Sequence, residues 1–281
     1  MRTLRPITRT AVLLTATVWS FFLFSAASLN ASTNTLSAKA IMDRMIASSG
    51  KTNDQLILTN YHFVRWDVSE EIDKKGVVTK KTDKIYDHSP ERGSAILREV
   101  REDGKVLPKS EKESARKQDS EERKSRAQRT GGDNNLTITA DMIKRFDFEL
   151  LGTTNISGHT VHAIRFGPAA KQEPAKNMSE RVIQKVQGKI YIDTVAFQIV
   201  RLEAELSDEI SFWGGMLGKI KSFTMLVVRE PVDGIWFNRN IAGEFEARAM
   251  FSAVQGRFSS TNSAFVRRDA IPQMKTTPPK P

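Results

Sequence analysis

Apolar side chains recur along this chain in distinct rhythms, and each rhythm predicts a different element. In residues 36–49 (LSAKAIMDRMIASS), Ile41, Met42, Met45 and Ile46 recur at three- and four-residue spacing. This predicts a short helix, capped by Ser37 and stopped by Gly50, with one apolar face to bury. From Leu56 onward the period drops to two, the signature of strands. Residues 56–69 and 76–88 flank the polar turn Asp73-Lys74-Lys75-Gly76, and 94–100 and 105–107 flank Glu102-Asp103-Gly104. An Asp-Gly pair between two alternating runs is a hairpin signal.

Residues 109–130 break the alternation. Beyond Ala115 and Ala127 they carry almost no apolar side chain, while Glu113–Lys117, Asp119–Arg123 and Glu122–Arg126 stand four apart with the acid first. That order supports a helix, and the missing apolar face predicts a solvated helix or flexible insertion outside the core. A contact arm for a partner or a membrane is the sharper use of such a segment. After it the alternation returns. Phe146, Phe148 and Leu150 interleave with Arg145, Asp147 and Glu149; His162, Ile164 and Phe166 follow a turn at Gly158. A polar loop over 167–181 leads to 188–206, where Ile190, Ile192, Val200, Leu202, Ala204 and Leu206 alternate with charged residues. Strands over 219–229, 235–251 and 257–268 complete the series.

Successive long strands with one apolar and one charged face predict a highly curved antiparallel sheet of about nine to eleven strands, closed incompletely, with short helices over its concave face. The helix at 36–49 and a short segment at 139–145 are too little to fill that concavity, which predicts an apolar binding cavity. Its lining is expected among Phe146, Phe148, Ile164, Phe166, Ile190, Ile192, Val200, Leu202, Leu206, Leu226, Val228, Phe245 and Phe251. The small residues Ala204, Gly243, Ala247 and Ala249 would leave room for an alkyl chain. An alternative is that the same residues simply form core.

The N-terminus sets the compartment. Arg2, Arg5 and Arg9 precede an uncharged run, 11–29, rich in Leu and Phe, and small residues follow at Ser25-Ala26-Ala27 and Leu29-Asn30-Ala31. This is the three-part pattern of an export signal over 1–31, and an uncleaved anchor is the alternative. The body, 32–269, is then one periplasmic β domain carrying the insertion 109–130, and the Pro-rich segment 270–281 is expected to be disordered. The chain contains no cysteine, so disulfides, thiolate chemistry and Cys-ligated metals are excluded. Its formal charge is +10; the leader accounts for three of those charges, and the remainder suits either an anionic surface such as phospholipid headgroups or simply a soluble exterior. No basic-aromatic motif points to nucleic acid.

Catalytic signatures are weak. The four histidines, His62, His88, His159 and His162, show no metal-ligand spacing, with His159 and His162 at opposite parity. No Gly-x-Ser-x-Gly elbow or phosphate-cradling Gly loop occurs. Glu203, Glu205, Asp208 and Glu209 read as a wet sheet surface. No cofactor is implied. The loop Ser211-Phe212-Trp213-Gly214-Gly215-Met216-Leu217 is different: Phe212, Trp213, Met216 and Leu217 beside a Gly-Gly pair suit a lid or membrane-dipping tip, or a loop folded back on the core.

Taken together, the short first helix, the aromatic first strand, FDFELLG, GKIYIDTVAFQIVRLEAEL and the late DGIWFNRNI strand resemble the lipoprotein-carrier (LolA/LolB-like) superfamily, in an outer-membrane lipoprotein-sorting-like branch. Ile192, Asp193, Ile199, Val200, Arg201 and Leu202 carry the most specific part, and the likeness extends over about 36–268. The resemblance implies an unclosed half-barrel with a helical lid that binds acyl chains. The expected function is therefore non-catalytic: carriage or binding of a lipid, a lipoprotein acyl chain or another amphiphile in the bacterial envelope. A periplasmic sensor or scaffold with an envelope protein partner is the alternative.

Overall fold

The computed structural model describes residues 36–270 apart from 49–56, 91–93, 131–137, 139, 173, 176–177, 213–217 and 250–251. The expected leader, the proline-rich tail, and the positions Trp213, Met216, Leu217 and Phe251 lie outside the described residues, as does the side chain of Phe212.

Twelve strands form one antiparallel sheet in the order β4-β3-β2-β1-β12-β11-β10-β8-β7-β6-β5, with β9 beside β10. In chain order they are β1 (Tyr61–Ile72), β2 (Val78–Ser89), β3 (Ser94–Glu102), β4 (Lys105–Val106), β5 (Phe146–Ile156), β6 (His159–Pro168), β7 (Val186–Asp193), β8 (Ile199–Leu206), β9 (Ile210–Phe212), β10 (Gly218–Val232), β11 (Ile235–Ala249) and β12 (Ser252–Arg267). The edges β4 and β5 do not pair with each other, so the sheet is unclosed. Among the described residues the longer helical segments are α1 (Ala38–Ser48), α2 (Lys109–Thr130), α3 (Ala140–Ile143) and α4 (Met178–Ile183). The fold class is mainly β, as the alternation predicted. Among the described residues no helix is long and apolar enough to cross a membrane.

Local chemistry explains the elements. At the hairpins β3–β4 and β10–β11, Asp103 and Gly104 (φ 46° and 81°) and Asp233 and Gly234 (φ 50° and 78°) both take the left-handed conformation, the geometry whose twist matches the flanking strands. Ser37 caps α1 by accepting the Ala40 N–H on Oγ at 3.2 Å. Three expectations need correction. The first strand starts at Tyr61 rather than near Leu56, because 57–60 form a helical turn whose Leu58 carbonyl contacts His88 Nε2 at 3.1 Å. The 167–181 region is not all loop, since α4 begins at Met178. And α2, expected to stand free of any core, is docked: Ala115 packs on the buried cluster Tyr86, Leu97 and Val100. There Tyr86 donates its hydroxyl to Asp119 Oδ1 at 2.7 Å, and Arg116 Nε donates to the Leu97 carbonyl at 3.0 Å.

Register decides which side chains share a face. One cross-strand row runs Leu150, Ile164, Ile190, Leu202, Val227, Ile241, Ser260, Asp67, Lys84, Val100. We call the face it occupies the inner face. Its first six members are apolar, and here α1 buries Ala38, Ile41, Met42 and Met45. They belong to the main core cluster with Ile164, Ile190, Ile192, Leu202 and Val227. The neighbouring row on the outer face runs Glu149, Arg165, Lys189, Glu203, Leu226, Ala242, Ser259, Val68. Charges open that row, and small or apolar residues end it.

Candidate ligand cavity

Under the helices the inner face is not fully filled. A cavity of about 250 Å³ lies between sheet and roof, and all fifteen residues that line it are apolar. Its floor is Phe146 and Phe148 on β5, Phe166 on β6, Val186 and Ile190 on β7, Leu202 and Ala204 on β8, and Phe223 and Met225 on β10. Its roof is Met42 of α1, Ile138, Met142 and Ile143 at α3, and Val182 and Ile183 of α4. Phe146 and Phe166 meet edge to face with centroids 5.4 Å apart. A space lined this way stays dry and accepts an apolar guest. Among the described residues the lining carries no side chain able to donate, accept or shuttle a proton.

Polar contacts hold the roof at its rim. The turn between β7 and β8 is built on Asp193, whose Oδ1 accepts the Val195 and Ala196 N–H groups at 2.9 and 2.7 Å. The Gln198 side chain donates to the Ser48 carbonyl at 2.8 Å, and Ser48 Oγ donates to the Phe197 carbonyl at 2.7 Å, so the turn grips the C-terminus of α1. Burial alone would raise the Asp193 carboxyl. The Ala196 and Val195 amides and the His159 ring, 3.1 Å from Oδ2, outweigh it and hold the group below the ordinary carboxylate value. His162 is lowered as well, by burial against the pull of Asp193. On the opposite rim, Arg145 pairs with Glu180 at 3.3 Å and ties the end of α3 to α4. Among the described residues no cluster of His, Asp and Glu could hold a metal ion.

The expected lining residues divide into groups. Phe146, Phe148, Phe166, Ile190 and Leu202 line the cavity. Ile164 and Ile192 lie in the same core without reaching it. Phe245 shares the inner face as the partner of Phe223, and Leu206 shares it by alternation at the end of β8. Val200, Leu226 and Val228 are corrected: all three face outward. A register shift beside Tyr191 sets Ile199 opposite Ile192 and turns Val200 into a separate cluster with Val161 and Trp236. In β10 the run Met225-Leu226-Val227-Val228 is apolar on both faces, so alternation alone could not choose. The pairing of Val227 with Leu202 chooses Phe223, Met225 and Val227. Gly243 is also corrected. Its missing side chain does not make room for a ligand, because a Cβ there would lie 2.3 Å from the Thr224 carbonyl and 2.6 Å from the Phe258 ring. The roof residues of α3 and α4 were missed. Their only signal was Ile138, Met142 and Ile143 at four- and five-residue spacing.

No family model matches this chain, and neither does any curated protein. Among solved structures it is similar to a domain described as outer membrane lipoprotein-sorting from Vibrio parahaemolyticus, with 8% identity, 84% of this chain and 94% of that one covered, and a TM-score of 0.33. A LolA superfamily protein from Nitrosomonas europaea gives 11% identity, 84% and 95% coverage, and a TM-score of 0.29. The MucA/MucB complex of Pseudomonas aeruginosa gives 7%, 77% and 94%, and 0.22.

Proposed function

We propose that this chain is a non-catalytic binder or carrier of an acyl chain, exported to the bacterial periplasm and working on a lipid or an acylated protein. The observation that supports it is the apolar-lined cavity between the inner face and the α1–α3–α4 roof. Counting a methylene at roughly the volume of a water, ~30 Å³, 250 Å³ accepts about eight of them. At ~0.8 kcal/mol each, burial contributes about 6 kcal/mol, a dissociation constant in the tens of micromolar before ordering costs. A longer chain requires the roof to part. That roof is built for it: one three-turn helix and two helical fragments of four and six residues.

Native mass spectrometry of the protein purified from an envelope fraction, with solvent extraction of bound material, tests the reading. The expected result is a discrete added mass that extracts as lipid and is absent from Ala204→Trp, which fills the cavity from its floor. A clean apo mass that persists after incubation with phospholipid and with an acylated peptide would overturn it.

A further inference from the structure

On the outer face two depressions of about 610 and 440 Å³ meet at Ala242, Gly243 and Glu244, the larger backing onto the cavity floor at Phe166, Ala204 and Met225. The smaller crosses β11, β12, β1 and β2. Three inter-strand steps at ~4.8 Å make it about 14 Å long. Its floor is low, Val68 and Ala242 with Ser259 between them and Thr261 beside Trp66, and Trp66 lines it at 47% exposure. The indole is not loose: Nε1 donates to Oδ1 of the buried Asp83 at 3.1 Å. A large aromatic left open on a paired strand, yet tethered, is a preorganised platform.

The border of this groove is made of ion pairs of both signs. Glu70 lies 3.5 Å from Lys81 and 4.0 Å from Arg257, and Arg257 lies 2.9 Å from Glu244. Two acids and two bases leave no net charge, and they present donors and acceptors in alternation. A charged ligand would meet its own sign and break a pair. A ligand rich in hydroxyl groups, each able to donate and accept, fits without breaking any.

We propose that this outer groove binds a saccharide, with ring C–H faces on Trp66 and Val68 and hydroxyls on Ser259, Thr261 and the ion-pair border. A peptide fits less well. β1, β11 and β12 are hydrogen-bonded on both sides, so their backbone is already committed, and the peptide's own amides would find only side chains.

Isothermal titration and tryptophan fluorescence of the full chain with chitotetraose, maltotetraose and a mixed-charge decapeptide test this. At least one tetrasaccharide is expected to bind below ~1 mM, with Trp66→Ala weakening it about tenfold or more. Because Trp66→Ala also strips Asp83 of its partner, Ala242→Phe serves as a second variant. It blocks the floor, leaves Trp66 in place, and should abolish saccharide binding while the thermal melt stays near wild type. Three results would each overturn the proposal: no tetrasaccharide binding up to ~10 mM, binding indifferent to both variants, or binding of the decapeptide in place of the sugars.

Discussion

Replacing Asp193 with Ala tests how the roof is held. In the native turn its carboxylate accepts two backbone N–H groups, at 2.9 and 2.7 Å, and contacts His159 at 3.1 Å. Asp193 is 8% exposed, so the amides it leaves are poorly placed to recover water. Hydrogen bonds to a charged group contribute ~1.5–3 kcal/mol each, and the turn can relax, so the expected loss is about 3 kcal/mol. For a domain of this size that is a fall in Tm of roughly 6–12 °C. The assay is urea unfolding followed by circular dichroism, repeated from pH 7 to pH 3. A carboxyl whose folded value lies below its unfolded one stabilises fully above the unfolded value, 3.8, and loses that contribution as pH falls through the folded value. The gap between wild type and variant should therefore be constant from pH 7 down to about 5 and close below 3.8. Since the turn grips α1 through Ser48, acyl retention should weaken with it. A gap under ~1 kcal/mol, or one that does not move with pH, would refute this account of the turn.

Other predictions follow from single contacts. Gly243→Ala should destabilise by about 1–3 kcal/mol in the same unfolding assay, because its Cβ would collide with the Thr224 carbonyl and the Phe258 ring; Phe258→Leu should recover part of the loss. Tyr86→Phe removes the 2.7 Å bond to Asp119, and hydrogen exchange should quicken in 109–121 while β2 keeps its protection. Burial raises the Tyr86 hydroxyl far above the ordinary tyrosine value, with the Asp119 bond adding to it, so that contact should survive alkaline conditions up to pH 10. Arg145→Ala breaks the 3.3 Å pair with Glu180. It should leave overall stability within ~1 kcal/mol of wild type while speeding release of a bound acyl chain, measured by competition with a fluorescent fatty acid.

Alternation carried most of the architecture. Most long strands were visible as period-two runs, though β12 begins at Ser252 rather than at 257, and the three Gly-containing hairpin turns at 104, 158 and 234 could be located from composition because they need φ > 0 at successive positions. Two kinds of information were not local. Which face of an apolar run turns inward depends on pairing, so Leu226 and Val228 could be assigned only once Val227 was seen opposite Leu202. The roof fragments α3 and α4 are four and six residues long, too short for helical periodicity to rise above the polar residues around them. Ala115 illustrates a third limit. One alanine in a charged helix says nothing of docking until Tyr86 offers both a ring to touch and a hydroxyl to bond with Asp119.

The pairing of β1 with β12 also bears on how the molecule is assembled in time. Asp67 and Ser260, 193 residues apart, meet through a 2.6 Å side-chain bond, and the β1–β4 block joins the rest of the sheet only through that ladder. Until β12 has arrived, β1 is an unpaired edge twelve residues long, with Trp66 and Val68 on it. Contacts of such long separation form late, and an open edge invites pairing with other chains in the meantime. The last long strand therefore acts as a clasp on the whole sheet. Cells making this protein should depend on holding factors, most acutely until residues 252–267 have taken their place.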